Sequence, residues 1–188
     1  MSTINLASQN QLRSAWRALS AYTVLCAVLL SQHGILAAAP LSVGSALPEM
    51  KFKDQHDKPV VIPPDTRWVL MASEKPVSDM VSAVLSAEPA GVMTRMRLVY
   101  IADISGMPAL ITRMFALPKL RELSYSIALV READEVAVVA DFPRQTGTAT
   151  LLRLENGRIS SLGAVRTAAE LRSGLGLPPA TYVPENQR

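Results

Sequence analysis

One cysteine occurs in 188 residues, Cys26, and it stands inside an apolar run near the N-terminus. From Ala27 to Arg188 there is no thiol, which excludes disulfides within that stretch and every reaction that starts from a thiolate. Histidine is almost as scarce. Beyond residue 39 only His56 remains, in a polar turn where an imidazole faces solvent rather than a metal. Zinc spacings, glycine-rich phosphate loops and paired catalytic carboxylates are absent too. Aromatics make up 5% of the chain, with no basic stripe interleaved among them, which argues against a nucleic-acid surface. What is present, 49% hydrophobic and 19% charged residues, suits one globular domain with a leader.

The leader has three zones. A polar region containing Arg13 and Arg17 precedes the apolar run Ala21 to Leu30, and the small residues Ala37, Ala38 and Ala39 follow. The run is shorter than the roughly 20 residues that span a bilayer, so a signal peptide cleaved near Ala38 or Ala39, and export to the periplasm, are expected. Pro40 directly after the cut and the polar Ser31-Gln32-His33-Gly34 before it fit less well. The alternative is an uncleaved anchor in the inner membrane, and only then would the chain be membrane-bound. Cys26 follows Leu25 within the run, not a small residue at its end, so it is no lipidation site. The leader carries both of those arginines and no acid, so its removal lowers the formal net charge of +3 to about +1. Residues 1–39 are thus the leader, 40–178 the domain and 179–188 a flexible tail.

Within the domain, Leu41 to Pro64 is rich in proline and holds the polar turn Asp54-Gln55-His56-Asp57-Lys58, which predicts an extended lead-in with a short hairpin. Trp68 to Ala72 reads as a strand buried on both faces. Val77, Met80, Val81, Val84 and Leu85 recur at helical spacing, with Pro76 suited to the first turn. Leu98 to Ala102 is the next strand, ending at Asp103. A second helix is expected from Pro108, with Leu110, Ile111, Met114 and Phe115 facing the core and Pro118 breaking or kinking it. Ser126 to Val130 predicts a strand, and Val136 to Ala140 fits either strand or helix. Thr148 to Leu154 and Arg158 to Leu162 form a hairpin around Glu155-Asn156-Gly157. Thr167 to Glu170 is a capping box for a last helix through Leu171 and Leu175, stopped by Gly176 and Pro178.

Three segments of this order resemble the thioredoxin-like superfamily, in particular its TlpA and peroxiredoxin branch. Ala149 to Ile159 is similar to the fourth-strand segment and its Asn-Gly turn, Val43 to Pro48 with Asp54-Gln55 to the branch's opening, and Trp68 to Met80 to its active-site strand, loop and first helix. The resemblance covers most of Val43 to Leu177. It implies an α/β thioredoxin-like fold, a central mixed sheet flanked by helices.

Relatives carry C-x-x-C where this chain has Lys75-Pro76-Val77-Ser78, and a cis-proline where it has Ala149. Both sulfurs of thiol–disulfide exchange are therefore missing. Lys75 has only donors, so it cannot cap the helix, and its charge opposes the helix dipole. Ser78 has no neighbouring histidine to activate it. The resemblance then implies at most a degenerate groove, with Lys75, Pro76, Ser78, Asp79, Asp103, Thr148 and Ala149 as its candidate binding residues and no catalytic residue or cofactor. Asp103, before Ser105-Gly106, is equally an ordinary turn residue. Seven methionines lie between Met50 and Met114, and thioethers bind soft Cu(I). Met71, Met80 and Met114 fall on expected core faces, leaving Met93 and Met96, beside Arg95 and Arg97, as weak metal candidates. Two functions follow as expectations: a redox-inactive module that binds a protein partner in the cell envelope, or a carrier of copper or a small ligand.

Overall fold

The computed structural model describes residues 40–179. The leader with Cys26, and the tail from residue 180, lie outside the described residues. Seven strands form one sheet in the order β2-β1-β5-β4-β3-β6-β7. At its centre β3 (Trp68–Ala72), β4 (Leu98–Asp103) and β5 (Ala128–Val130) run parallel, and β6 (Ala149–Glu155) pairs antiparallel with β3. The short hairpin β1 (Lys51–Lys53) and β2 (Pro59–Val61) extends one edge, and β7 (Arg158–Val165) closes the other. A parallel β3-helix-β4 unit joined to an antiparallel hairpin and a final helix is the thioredoxin-like arrangement, and the chain has that fold.

Alternation along the strands makes two cores. Leu70, Ala72, Tyr100, Leu129, Ala149 and Leu151 face one side, where helix α1 (Lys75–Ser86) and the last helix, α6 (Ala168–Leu175), bury Val77, Val81, Val84, Leu85, Leu171 and Leu175. Val69, Met71, Ile101, Val130 and Leu152 face the other, against Met50, Phe52, Val139 and Phe142. Each fully buried aliphatic side chain contributes about 1.5–3 kcal/mol of transfer free energy. Two glycines permit the C-terminal packing. Asn156 and Gly157 take φ 52° and 73° in the β6–β7 turn, as the Asn-Gly pair predicts. A Cβ on Gly174 would lie 2.8 Å from Leu151 Cδ2, so a larger residue there would require the Leu151 side chain to shift.

The middle of the chain departs from expectation. A five-residue helix, α2 (Val92–Met96), fills the α1–β4 connection, and Val136 resolves as helix in α5 (Ala133–Val138). The segment after β4 is helical throughout, as α3 (Ala109–Ile111), a π-turn over Thr112–Ala116 and α4 (Leu117–Arg121). Pro118 does not break it. Because proline cannot donate an N–H, the preceding turn widens, and Leu117 N–H reaches Thr112 O, five residues back. The expected core face is wrong: Leu110, Ile111, Met114 and Phe115 are all exposed, and the segment instead buries Leu117 and half-buries Leu120. Met114 therefore leaves the set of core methionines, whereas Met71 is buried and Met80 half-buried.

Candidate functional site

Helix α1 begins just after β3 ends, which puts Lys75 at the C-terminal end of that strand. Ser78 N–H donates to Glu74 O at 2.9 Å, closing the first turn, and Pro76 sits where a missing N–H is harmless. Lys75 Nζ is ion-paired with Asp79 one turn on. Lys119 of α4 approaches the same carboxylate at 4.0 Å. Both pairs are well exposed, so each contributes at most about 1 kcal/mol. The cation that cannot cap the helix is thus answered by Asp79 rather than left opposing the dipole alone.

Glu74, which nothing local in the chain singles out, connects the candidate residues on α1 to those at the start of β6. Its side chain does not cap α1; instead Glu74 Oε1 accepts from Gly147 N–H at 2.9 Å. This bond ties the loop between β3 and α1 to the segment leading into β6. That segment is pinned again by Thr148, whose N–H and Oγ1 both donate to Gln145 O, at 3.1 and 2.7 Å, and by Thr150 Oγ1 donating to Pro143 O. Ala149 opens β6 and is fully buried in a trans chain, since no cis peptide occurs among the described residues.

Asp103 is buried as well. It accepts from Ser105 N–H and Oγ at 3.1 and 2.7 Å, and from Arg144 Nη1 at 2.8 Å. Its carboxylate therefore has its partners inside the protein. The structure gathers all seven candidates at one end of the sheet, but divides them. Lys75, Pro76 and Asp79 are on the surface and Ser78 is half-buried, whereas Asp103, Thr148 and Ala149 are buried and internally bonded or packed.

Beneath α1 lies Tyr100, whose buried hydroxyl has no hydrogen-bond partner among the described residues. Burial is the main cause that pushes its ionisation well above the ordinary range; Ser78 lies beside it and opposes the shift, while Tyr125 and Asp79 add to it. The phenol stays neutral at any physiological pH. It is no general base.

Met93 and Met96 do not form an accessible thioether pair. Both are half-buried on α2 and pack against the larger core, which corrects the expectation that they stand free for a soft metal. His56 is exposed as expected. A concavity of about 580 Å³ lies at the opposite end of the sheet, between Asp65, Arg67, Arg95, Arg97 and Glu155, and no candidate residue lines it.

No protein-family model and no curated protein matches the sequence. Among solved structures, the fold is similar to that of peroxidoxin BcpB from Mycobacterium tuberculosis, at 13% identity and a TM-score of 0.49 over 72% of this chain and 95% of that one. It is similar also to StoA from Bacillus subtilis, at 14% identity and 0.47 over 68% and 96% of the two chains. A thio-disulfide isomerase from Thermus thermophilus aligns at 17% identity and 0.45, over 73% and 99%. These are likenesses of fold, and the strand order above is what assigns it.

Proposed function

We propose that this chain is an exported, redox-inactive thioredoxin-like protein that binds a protein partner in the cell envelope through the surface at the N-terminus of α1. The observation that carries the reading is the occupation of that surface. By the resemblance, Lys75 and Ser78 take the positions of a reactive thiol pair; in the structure Lys75 is ion-paired with Asp79, and Glu74 accepts from Gly147 N–H. A surface so held keeps its shape without a nucleophile, and a scaffold readily outlives its chemistry. Lys75, Pro76, Ser78 and Asp79 would make the contacts; Asp103, Thr148 and Ala149 hold them in place.

Two measurements test this. A photo-crosslinking residue at Lys75 or Ser78 is expected to capture a discrete protein in the native envelope, whereas the same group at Thr94 on α2 captures none. Purified protein is expected to leave the rate of insulin disulfide reduction at its uncatalysed value, and Lys75→Cys with Ser78→Cys to raise it. Catalysis by the unaltered chain would sink the reading, as would equal capture from all three positions.

A further inference from the structure

Of the six large apolar side chains that stand exposed among the described residues, four lie together on α3 and the π-turn: Leu110 at 66%, Ile111 at 42%, Met114 at 57% and Phe115 at 64% exposure. Their spacing puts them on one continuous arc. A contiguous apolar patch on a soluble domain marks a contact surface. The charges of the segment itself have one sign. Between Ile104 and Arg121 every charged residue is a cation, Arg113, Lys119 and Arg121, and the first acid is Glu122. Arg121 donates to Gln55 O at 2.7 Å and lies 3.6 Å from Asp57, and Lys119 is 4.0 Å from Asp79, but Arg113 is exposed with no ion pair among the described residues.

An apolar arc on a segment whose own charges are all cations, one of them unpaired among the described residues, is the composition of a helix that lies in a membrane interface, where acyl chains meet the apolar side and lipid phosphates the basic one. A second copy of the chain fits less well, because facing arcs would bring Arg113 against Arg113 of its twin. If the leader expected at residues 1–39 is kept as an anchor, it would also hold the domain at a membrane face. We infer that the 109–121 segment docks flat on an anionic bilayer surface, with Leu110, Ile111, Met114 and Phe115 entering the headgroup boundary and Arg113 and Lys119 meeting lipid phosphate. This surface adjoins the proposed partner surface at Lys119 and Asp79 but does not depend on the partner reading.

The test uses the full chain carrying Phe115→Trp, with the fluorescence of the parent protein subtracted so that Trp16 and Trp68 cancel. Vesicles contain phosphatidylcholine with brominated acyl chains, with or without phosphatidylglycerol. Position 115 is expected to be quenched on vesicles containing phosphatidylglycerol. Arg113→Gln and Lys119→Gln are each expected to raise the lipid concentration for half-quenching about fivefold. Because the signal comes from position 115 itself, tethering by the leader alone does not produce it. An unquenched position 115 overturns the proposal, and so does quenching that is equal on neutral vesicles and indifferent to both variants. Concentration-dependent dimerisation that buries position 115 without lipid, or its protection by an acidic protein instead, overturns it in favour of those occupants. Unchanged urea midpoints for the variants establish that the fold is intact.

Discussion

Helix α1 buries Val77, Val81, Val84 and Leu85 against the sheet and α6, while the 109–121 segment, with an apolar arc of similar helical spacing, turns Leu110, Ile111, Met114 and Phe115 to solvent. The two are attached to the fold by different physics. Apolar area holds α1. The second segment has Leu117 as its buried anchor and, beyond it, a polar clamp: Arg121 Nε donates to Gln55 O at 2.7 Å, Gln55 Nε2 donates to Tyr125 O at 2.7 Å, and Ile127 N–H donates to Gln55 Oε1 at 3.0 Å. Once hydrogen bonds fix where a helix lies, its apolar stripe no longer has to face inward. A stripe therefore predicts that a helix is amphipathic, and only the rest of the fold decides what meets its apolar side.

The sharpest break of this comparison is a charge placed on each stripe. Val81→Asp puts an unpaired carboxylate in the core and is expected to cost more than about 4 kcal/mol, enough to unfold a marginal domain. Phe115→Asp should change stability by less than about 0.5 kcal/mol. Urea denaturation of the two variants checks this, and comparable losses would mean that the arc on 109–121 is buried after all.

Ion pairs repeat the contrast at smaller scale. Arg172 Nη2 of α6 meets Glu88 Oε1 just beyond α1 at 2.5 Å, with both side chains about nine-tenths buried, and Arg172 Nε also donates to Pro178 O. Glu88→Ala leaves that guanidinium buried without its counter-charge and is expected to cost about 3 kcal/mol. Lys119→Ala removes an exposed, long pair to Asp79 and should cost no more than about 0.5 kcal/mol. Thermal melts of the two variants read the difference directly.

Periodicity carried much of the fold. Trp68 to Ala72 is a strand over those residues, the α1 stripe is buried, and Asn156-Gly157 turns as its φ preferences demand. Signals that depend on distant partners were not legible. Glu170 does reach back, but to Arg166 N–H rather than to the Thr167 N–H of a true capping box, although Thr167 Oγ1 accepts from Glu170 N–H. Asp54-Gln55 read as a polar turn, yet both residues are buried: Asp54 accepts locally from His56 and Lys58 N–H, but the partners of Gln55, Tyr125 and Ile127, arrive some seventy residues later. The candidate site was legible as a position, through Lys75 and Ser78. Its coupling was not, because nothing local to Glu74 announces Gly147.

The smallest expected effect separates the two regions by pH. Burial pushes the Asp54 carboxyl up, but the N–H groups of Lys58 and His56, at 2.9 and 2.8 Å, and the hydroxyl of Ser126 at 3.3 Å outweigh it and hold the group below its ordinary 3.8. A carboxyl depressed in the folded state stabilises that state above its unfolded value, and the contribution fades as pH falls from about 3.8 through the folded value. Asp54 orders the turn that presents Gln55 to Arg121, Tyr125 and Ile127, so acid should loosen the 109–121 segment before it loosens α1. Hydrogen exchange compared with Asp54→Asn at each pH checks this, because the amide cannot titrate. The expected outcome is extra opening of 109–121 in the parent below about pH 4, confined to that segment and absent from α1. Equal opening of both helices would show that the clamp is not what distinguishes them.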